Sequence, residues 1–265
     1  MNKEKGYDLV MCVGPQHLDI SMVTLKYIIK HLSASRIYLT ISKEYFHIFD
    51  KLCLQYKHIK CIDEQHLENI HFDSIQNFLK LNTGNINRTG WYFQQFLKME
   101  ACKIVESEYY LIWDADTIPL QKIDFFTKDH QILIQTTKED HQPYFETLKN
   151  MLNIDKQVPY SFISEHMMVC RTQMKAFIQS IQSFSSNDNW PLYILSKINK
   201  TALSLSGFSE YESFGNYLSL LKPSSIVARK GATKLKTYRF GTQIFEKNPS
   251  ENDLQLLKKM GYSYV

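Results

Sequence analysis

The sequence has no Gly-rich dinucleotide fingerprint and no P-loop lysine motif. Those absences argue against a nicotinamide enzyme and a P-loop NTPase. Cysteine is sparse. Cys12, Cys53, Cys61, Cys102 and Cys170 are odd in number, scattered and never spaced C-x-x-C. They read as buried cytosolic thiols, not as a disulfide frame or a zinc site. Neither sign of charge dominates: 31 Lys and Arg against 27 Asp and Glu leave a net +4. That is too little for nucleic-acid binding by bulk electrostatics, though it suits anionic small molecules or weak peripheral attachment to an anionic membrane face. No apolar run approaches the roughly 20 residues of a membrane span. The opening MNKEKGYDLVMCVG holds a short apolar stretch without a cleavage-like site, so a cytoplasmic protein is expected. No internal repeat or low-complexity linker divides the 265 residues, and one domain is the simplest organisation.

What is present is aromatic and apolar. Phe, Trp and Tyr make up 13% of the chain, a share that serves a core first but also suits stacking on sugars and bases. The most informative stretch is Tyr109–Pro119, YYLIWDADTIP. Tyr109 to Trp113 have the composition of a buried strand. Asp114 and Asp116 follow at once, and Pro119 stops any continuation. Two acids on one side of an extended backbone repel each other unless a cation intervenes. A hard divalent ion such as Mn²⁺ or Mg²⁺ takes oxygen ligands and leaves positions for substrate phosphates. The competing reading is a plain turn whose aspartates cap the next element.

Around that stretch the chain alternates strand and helix: strands at 7–13, 36–41 and 58–62, helices at 19–32 and 43–56. This order predicts an α/β fold, with a mostly parallel twisted sheet flanked by helices. Ligands of such sheets collect at the carboxyl ends of the strands. Gly14, Pro15, Gln16 and His17 therefore either meet a nucleotide base or ribose or merely turn the chain. A polar loop at 82–90 precedes a helix expected over 91–106, whose outer face carries Trp91, Gln94, Gln95 and Lys98. Arg88 and the first turn of that helix offer positive charge to a phosphate or sugar. Lys98 taken by itself reads as part of a solvated face. A further strand is expected at 131–136, and helices at 143–152, 172–184 and 190–199.

Later segments carry polar groups in apolar settings. Within YSFISEHMMVCR (160–171), Glu165 and His166 are either a site or a mutually hydrogen-bonded structural pair. In GFSEYESFGNY (207–217), Glu210 and Glu212 share a face if the segment is a strand and diverge if it is a helix. The segment 226–239 holds Arg229, Lys230, Lys234, Lys236 and Arg239, either a basic arm able to close over a diphosphate or a solvated loop.

Taken in order, TGWYFQQFLKMEA, YYLIWDADTIPL, SFISEHMMV and GFSEYESFGNY resemble bacterial glycosyltransferases of the GT-A fold. The resemblance covers roughly residues 84–215; the N-terminal third agrees only in architecture. It implies a single domain, with a nucleotide-sugar-binding half at 1–115 and an acceptor-binding half at 116–265. It also implies a nucleotide-sugar donor, a saccharide or lipid-linked acceptor, and a role in surface polysaccharide or lipopolysaccharide synthesis. Carried onto this chain, Asp114 and Asp116 would hold the metal, with Asp114 also contacting the donor. Val13–Gln16 would line the nucleoside, with Arg88, Trp91, Gln94, Gln95 and Lys98 supporting the donor. Glu165 and His166 would meet the acceptor, and Glu210 or Glu212 would be the general base of an inverting transfer. Many GT-A enzymes bring a late histidine to the metal, and this chain has none beyond His166. A haloacid-dehalogenase-type phosphatase also places D-x-D after an apolar strand. It requires Thr where this chain has Ile118, and a later acidic pair that is missing. A nucleotide-sugar-binding protein without catalysis is the non-enzymatic alternative.

Overall fold

The computed structural model describes residues 5–185, 189–239, 241, 244–245 and 248–265. The first half is three βα units: β1 (Asp8–Cys12), α1 (Leu18–His31), β2 (Ile37–Ile41), α2 (Phe46–Gln55), β3 (Ile59–Asp63) and α3 (Phe72–Thr83). Then come α4 (Thr89–Glu100), β4 (Tyr109–Trp113), β5 (Ile132–Ile134) and α5 (Gln142–Leu152). The remainder is β6 (His166–Cys170), α6 (Arg171–Gln182), α7 (Trp190–Lys197), α8 (Lys200–Leu203), α9 (Glu210–Leu221), β7 (Ile226–Ala228) and α10 (Glu251–Lys259).

Five strands form one sheet in the order β3-β2-β1-β4-β6, parallel except for β6. The expected α/β architecture, a mostly parallel sheet flanked by helices, is what forms. The central strands read as unbroken apolar runs because helices cover both faces of the sheet. β1 is buried at every position, Asp8 included. That carboxylate accepts from the Glu106 and Ser107 backbone N–H groups, both at 2.8 Å, and from Ser107 Oγ at 2.9 Å. It satisfies the chain entering β4, and this is why a charge is tolerated there.

Three features of the fold go beyond the sequence reading. The strand at 131–136 exists only as β5 and pairs with β7 in a separate two-stranded sheet. The 160–171 segment is extended over His166–Cys170 alone, running antiparallel to β4. The helix α3, unforeseen in the sequence, buries only Ile75 and Leu79, too narrow a stripe to stand out. After the D-x-D turn, Ile118 and Leu120 bond through their backbones to Val265 and Ser263 at 2.7 and 2.9 Å. With Leu254 and Leu257 of α10 they form a second small apolar core. The 263–265 segment thus straps down the chain just beyond the acids. Among the described residues no helix is long and apolar enough to cross a membrane.

Candidate active site

The strand order reverses direction beside β1: β2 and β3 lie on one side, β4 on the other. In open α/β sheets the crevice outside the carboxyl ends of two such strands is where ligands bind. β1 ends there at Cys12, and Val13 and Gly14 lead into a single 3₁₀ turn over Pro15–His17. β4 ends there at Trp113, and Asp114 follows it. Val13, Gly14, Pro15, Gln16, Arg88, Trp91 and Gln94 all line one cavity of about 890 Å³. Seven of the expected donor-side residues are thereby brought together by two separate segments of chain, 13–16 and 88–94. The far wall adds Ser42, Glu44 and Glu64, from the ends of β2 and β3. Burial raises the Glu64 carboxyl to about 7, with Asp63 and Glu44 adding repulsion. These acids were overlooked in the sequence, although they follow strands β2 and β3 as Val13–Gln16 follow β1.

Behind Cys12, in the cavity wall, lies an ionic cluster that is buried at Lys98 and Glu210 and partly exposed at Asp114. Lys98 Nζ is 2.7 Å from Asp114 Oδ1 and 3.1 Å from Glu210 Oε1, with its ammonium 4.9 Å above the Tyr211 ring. Lys98 is 3% exposed, so the solvated-face reading of this residue is overturned. The reason is tertiary: α9 packs on the face of α4 that the sequence leaves polar. Tyr211 was missed because its role exists only through that packing. Burial opposes the Lys98 charge, but Asp114 and Glu210 more than offset it and hold the ammonium well above its ordinary pKa. Burial raises both carboxyl groups, and Lys98 works against that rise in each. Gln95 does not face the cavity; its Oε1 accepts from the Glu210 backbone N–H at 3.3 Å and serves the free end of α9.

The 207–217 segment is a helix from Glu210 onward, so Glu210 and Glu212 diverge. Glu212 is 1% exposed and accepts from Ser161 Oγ, from the Phe162 N–H at 3.1 Å and from Asn216 Nδ2 at 3.3 Å. It fastens the 161–162 segment to α9, with its carboxylate already engaged by three donors. Glu165 and His166 are not a hydrogen-bonded pair. Adjacent residues entering a strand point to opposite sides. Glu165 accepts from Tyr264 OH at 2.8 Å and pairs with Arg239 Nε at 2.9 Å. His166 stacks on Trp113 at 4.9 Å, 3% exposed, and neither ring nitrogen has a hydrogen-bond partner. Burial lowers its pKa to about 3, aided by Arg229. An acceptor-binding role is therefore closed to His166. Arg229 is buried too, donating to the Asp124 and Thr233 carbonyls, so it is no part of a mobile basic arm.

Asp116 stands at the rim, 53% exposed and 3.8 Å from His17 Nε2. Asp114 Oδ1 is already taken by Lys98, and no group of three or more His, Cys, Asp or Glu among the described residues could hold an ion. This donor set is no preassembled cage. It fits a hard cation that takes one or two carboxylates from protein and the rest from phosphate and water, which is how Mg²⁺ is commonly bound. His17, read from the sequence with Gly14–Gln16 as a nucleotide contact, also lines the cavity; its closeness to Asp116 was not foreseen, because it spans two strands.

A family model described as a family of unknown function (DUF6492) matches residues 16–229. No curated protein matches the sequence. Among solved structures, mouse xyloside xylosyltransferase 1 in its apo form is similar at 13% identity and a TM-score of 0.43, covering 85% of each chain. The apo WbbM bifunctional glycosyltransferase is similar at 11% identity and a TM-score of 0.47; the present chain spans 46% of its length. A 4-diphosphocytidyl-2C-methyl-D-erythritol synthase from Anaerococcus prevotii is similar at 11% identity and 0.39, covering 91% of this chain and 94% of that one. At such scores the likenesses do not extend to function.

Proposed function

The chain belongs to the family of unknown function DUF6492, and we propose that it is a glycosyltransferase using a nucleotide-sugar donor and a saccharide or lipid-linked acceptor. One observation carries the reading. A buried lysine clamped between two carboxylates sits at the switch point of the sheet, beside a cavity large enough for a nucleotide. Val13–Gln16 and Trp91 would enclose the nucleoside, and Arg88 would meet the diphosphate. A divalent cation such as Mn²⁺ or Mg²⁺, carried by Asp116 with Asp114 behind it, would neutralise charge on the leaving diphosphate. Lys98 would supply positive charge where that leaving group develops.

In the transfer the anomeric bond to the diphosphate breaks, the acceptor oxygen takes its place, and the acceptor proton needs a base. Glu210 is the remaining acid of the expected pair. Lys98 holds it in the free protein, so it becomes a base only when the donor diphosphate draws Lys98 away. A role in surface polysaccharide or lipopolysaccharide assembly and a station at the cytoplasmic membrane face belong to the same proposal.

The test is release of nucleoside diphosphate from a panel of nucleotide sugars with Mn²⁺, with and without saccharide and lipid-linked acceptors. Acceptor-dependent release lost in Asp116→Ala and Glu210→Gln supports the reading. Phosphate release without an acceptor would indicate a phosphatase, and binding without release a non-catalytic receptor.

A further inference from the structure

At the opposite end of β1 and β4 from the candidate active site lies a second cavity, of about 370 Å³. Its floor is apolar, built from Tyr7, Ile123, Phe125 and Phe126, with Tyr7 and Phe125 packed edge to face at 5.6 Å. Its rim is cationic. Lys5, Lys122 and Lys128 line it together with His31 and His130, against a single acid, Asp124, among the described lining residues. None of these groups is used by the site described above.

The cations are placed, not scattered. Lys5 Nζ is 2.7 Å from Tyr109 OH and 3.3 Å from the His130 carbonyl oxygen, and lies 4.4 Å from the Tyr109 ring centroid. Anchoring a lysine beforehand lowers the entropy lost when a ligand binds it. His130 is held at φ 64°, a left-handed conformation that residues other than glycine seldom adopt. The tight turn that holds it closes through His130 N–H to the Thr127 carbonyl at 3.0 Å. It sets Lys128 and His130 on one rim. On the other, His31 lies within the field of Lys30 and Lys258, which add to the effect of burial in lowering its pKa. Ser33 and Thr127 supply hydroxyls between these charges.

Concentrated positive charge over an apolar floor, at the low end of the size range of small-molecule sites, has a definite complement. We propose that this pocket binds a phosphate ester: the phosphate sits among Lys5, Lys128 and the two histidines, and its organic part rests on Phe125 and Phe126. The ester is either the headgroup of an anionic lipid or a soluble phosphorylated compound, and the two are separable by experiment.

The histidine ring resonances of the full chain are followed by NMR during titration with inorganic phosphate. In parallel, sedimentation is measured with phosphatidylcholine vesicles, with and without phosphatidylglycerol. Saturable shifts at His31 and His130 that persist in Arg88→Ala and weaken about tenfold or more in Lys128→Glu, a two-charge change, support the site. Binding to phosphatidylglycerol vesicles that Lys128→Glu abolishes assigns the ester to a lipid. Phosphate shifts without vesicle binding assign it to a soluble compound. No shift at either histidine together with no vesicle binding, or shifts and binding that survive Lys128→Glu, would overturn the proposal. Lys128 is exposed, where substitutions ordinarily change stability little, and a thermal melt of Lys128→Glu matching the parent's separates loss of the site from loss of folding.

Discussion

At the scale of single residues, Lys98 and His166 decide the most. Lys98 compensates the buried Glu210 and the partly exposed Asp114, so Lys98→Met leaves the two carboxylates near each other without a counter-charge. Breaking a buried ion pair by removing one partner costs roughly 3–5 kcal/mol. The expected outcome is a much lower melting temperature at neutral pH. Both carboxyl groups have raised pKa values in the folded protein, so the folded state holds protons that the unfolded state releases. The variant's stability therefore increases as pH falls, and thermal melts at pH 5 and pH 8 check this. Adding Asp114→Asn and Glu210→Gln to the same chain is expected to restore most of the loss, because no uncompensated charge then remains.

His166 gives the opposite sign. Its folded pKa of about 3 lies below the ordinary histidine value of 6.5, so between those limits the unfolded state binds the extra proton. Stability is lost as pH falls through that window, at about 1.4 kcal/mol per pH unit where the difference is complete. His166→Phe keeps the stack on Trp113 and removes two unpartnered nitrogens. It is expected to be near neutral at pH 8 and stabilising at pH 5, as denaturant melts at the two pH values would read.

At the scale of elements, α9 is the hinge between core and site. Ser209 caps it through a bond from the Glu212 N–H at 3.2 Å, and Gln95 serves the Glu210 N–H. Five residues beyond Glu210, Gly215 lies under the Phe162 ring, where an added Cβ would come within 2.3 Å of a ring carbon. Phe162 is 1% exposed and has nowhere to move without taking the 161–165 segment with it. Gly215→Ala should cost about 1–3 kcal/mol by overpacking, more than a helical Gly→Ala change gains from propensity. Loss of midpoint in urea unfolding would show it. The same displacement would shift Glu165, which follows in the chain and receives the Tyr264 hydroxyl.

At the scale of the whole molecule, the sheet separates two cavities by the length of β1, one at each end of the strands. The candidate active site lies at the carboxyl end, where helices and turns leave both strand termini open. Asp116 is exposed at its rim and carries no packing. Asp116→Ala is accordingly expected to melt within about 0.5 kcal/mol of the parent, while losing any Mn²⁺-dependent stabilisation by nucleoside diphosphates. In the parent that stabilisation should reach about 2.7 kcal/mol at a hundredfold excess over Kd. A thermal-shift series with and without Mn²⁺ measures both.

Local chemistry determined much of this protein unaided. Strands such as DLVMC and YYLIW declare themselves through unbroken apolar runs, because strands covered on both faces have no polar side to show. Alternation with helices fixed the parallel core of the sheet and, with it, the crevice where Val13–Gln16 and Asp114 meet. Tertiary structure alone decided which polar residues would be sealed. Nothing in TGWYFQQFLKME tells that α9 will cover its polar face and turn Lys98 into a buried counter-ion. Nor does GFSEYES tell which glutamate will face that lysine and which will hold the 161–162 segment. Those outcomes depend on contacts between residues about 50 or more apart in the chain, where burial sets the energy of a charge and sequence spacing carries no record of it.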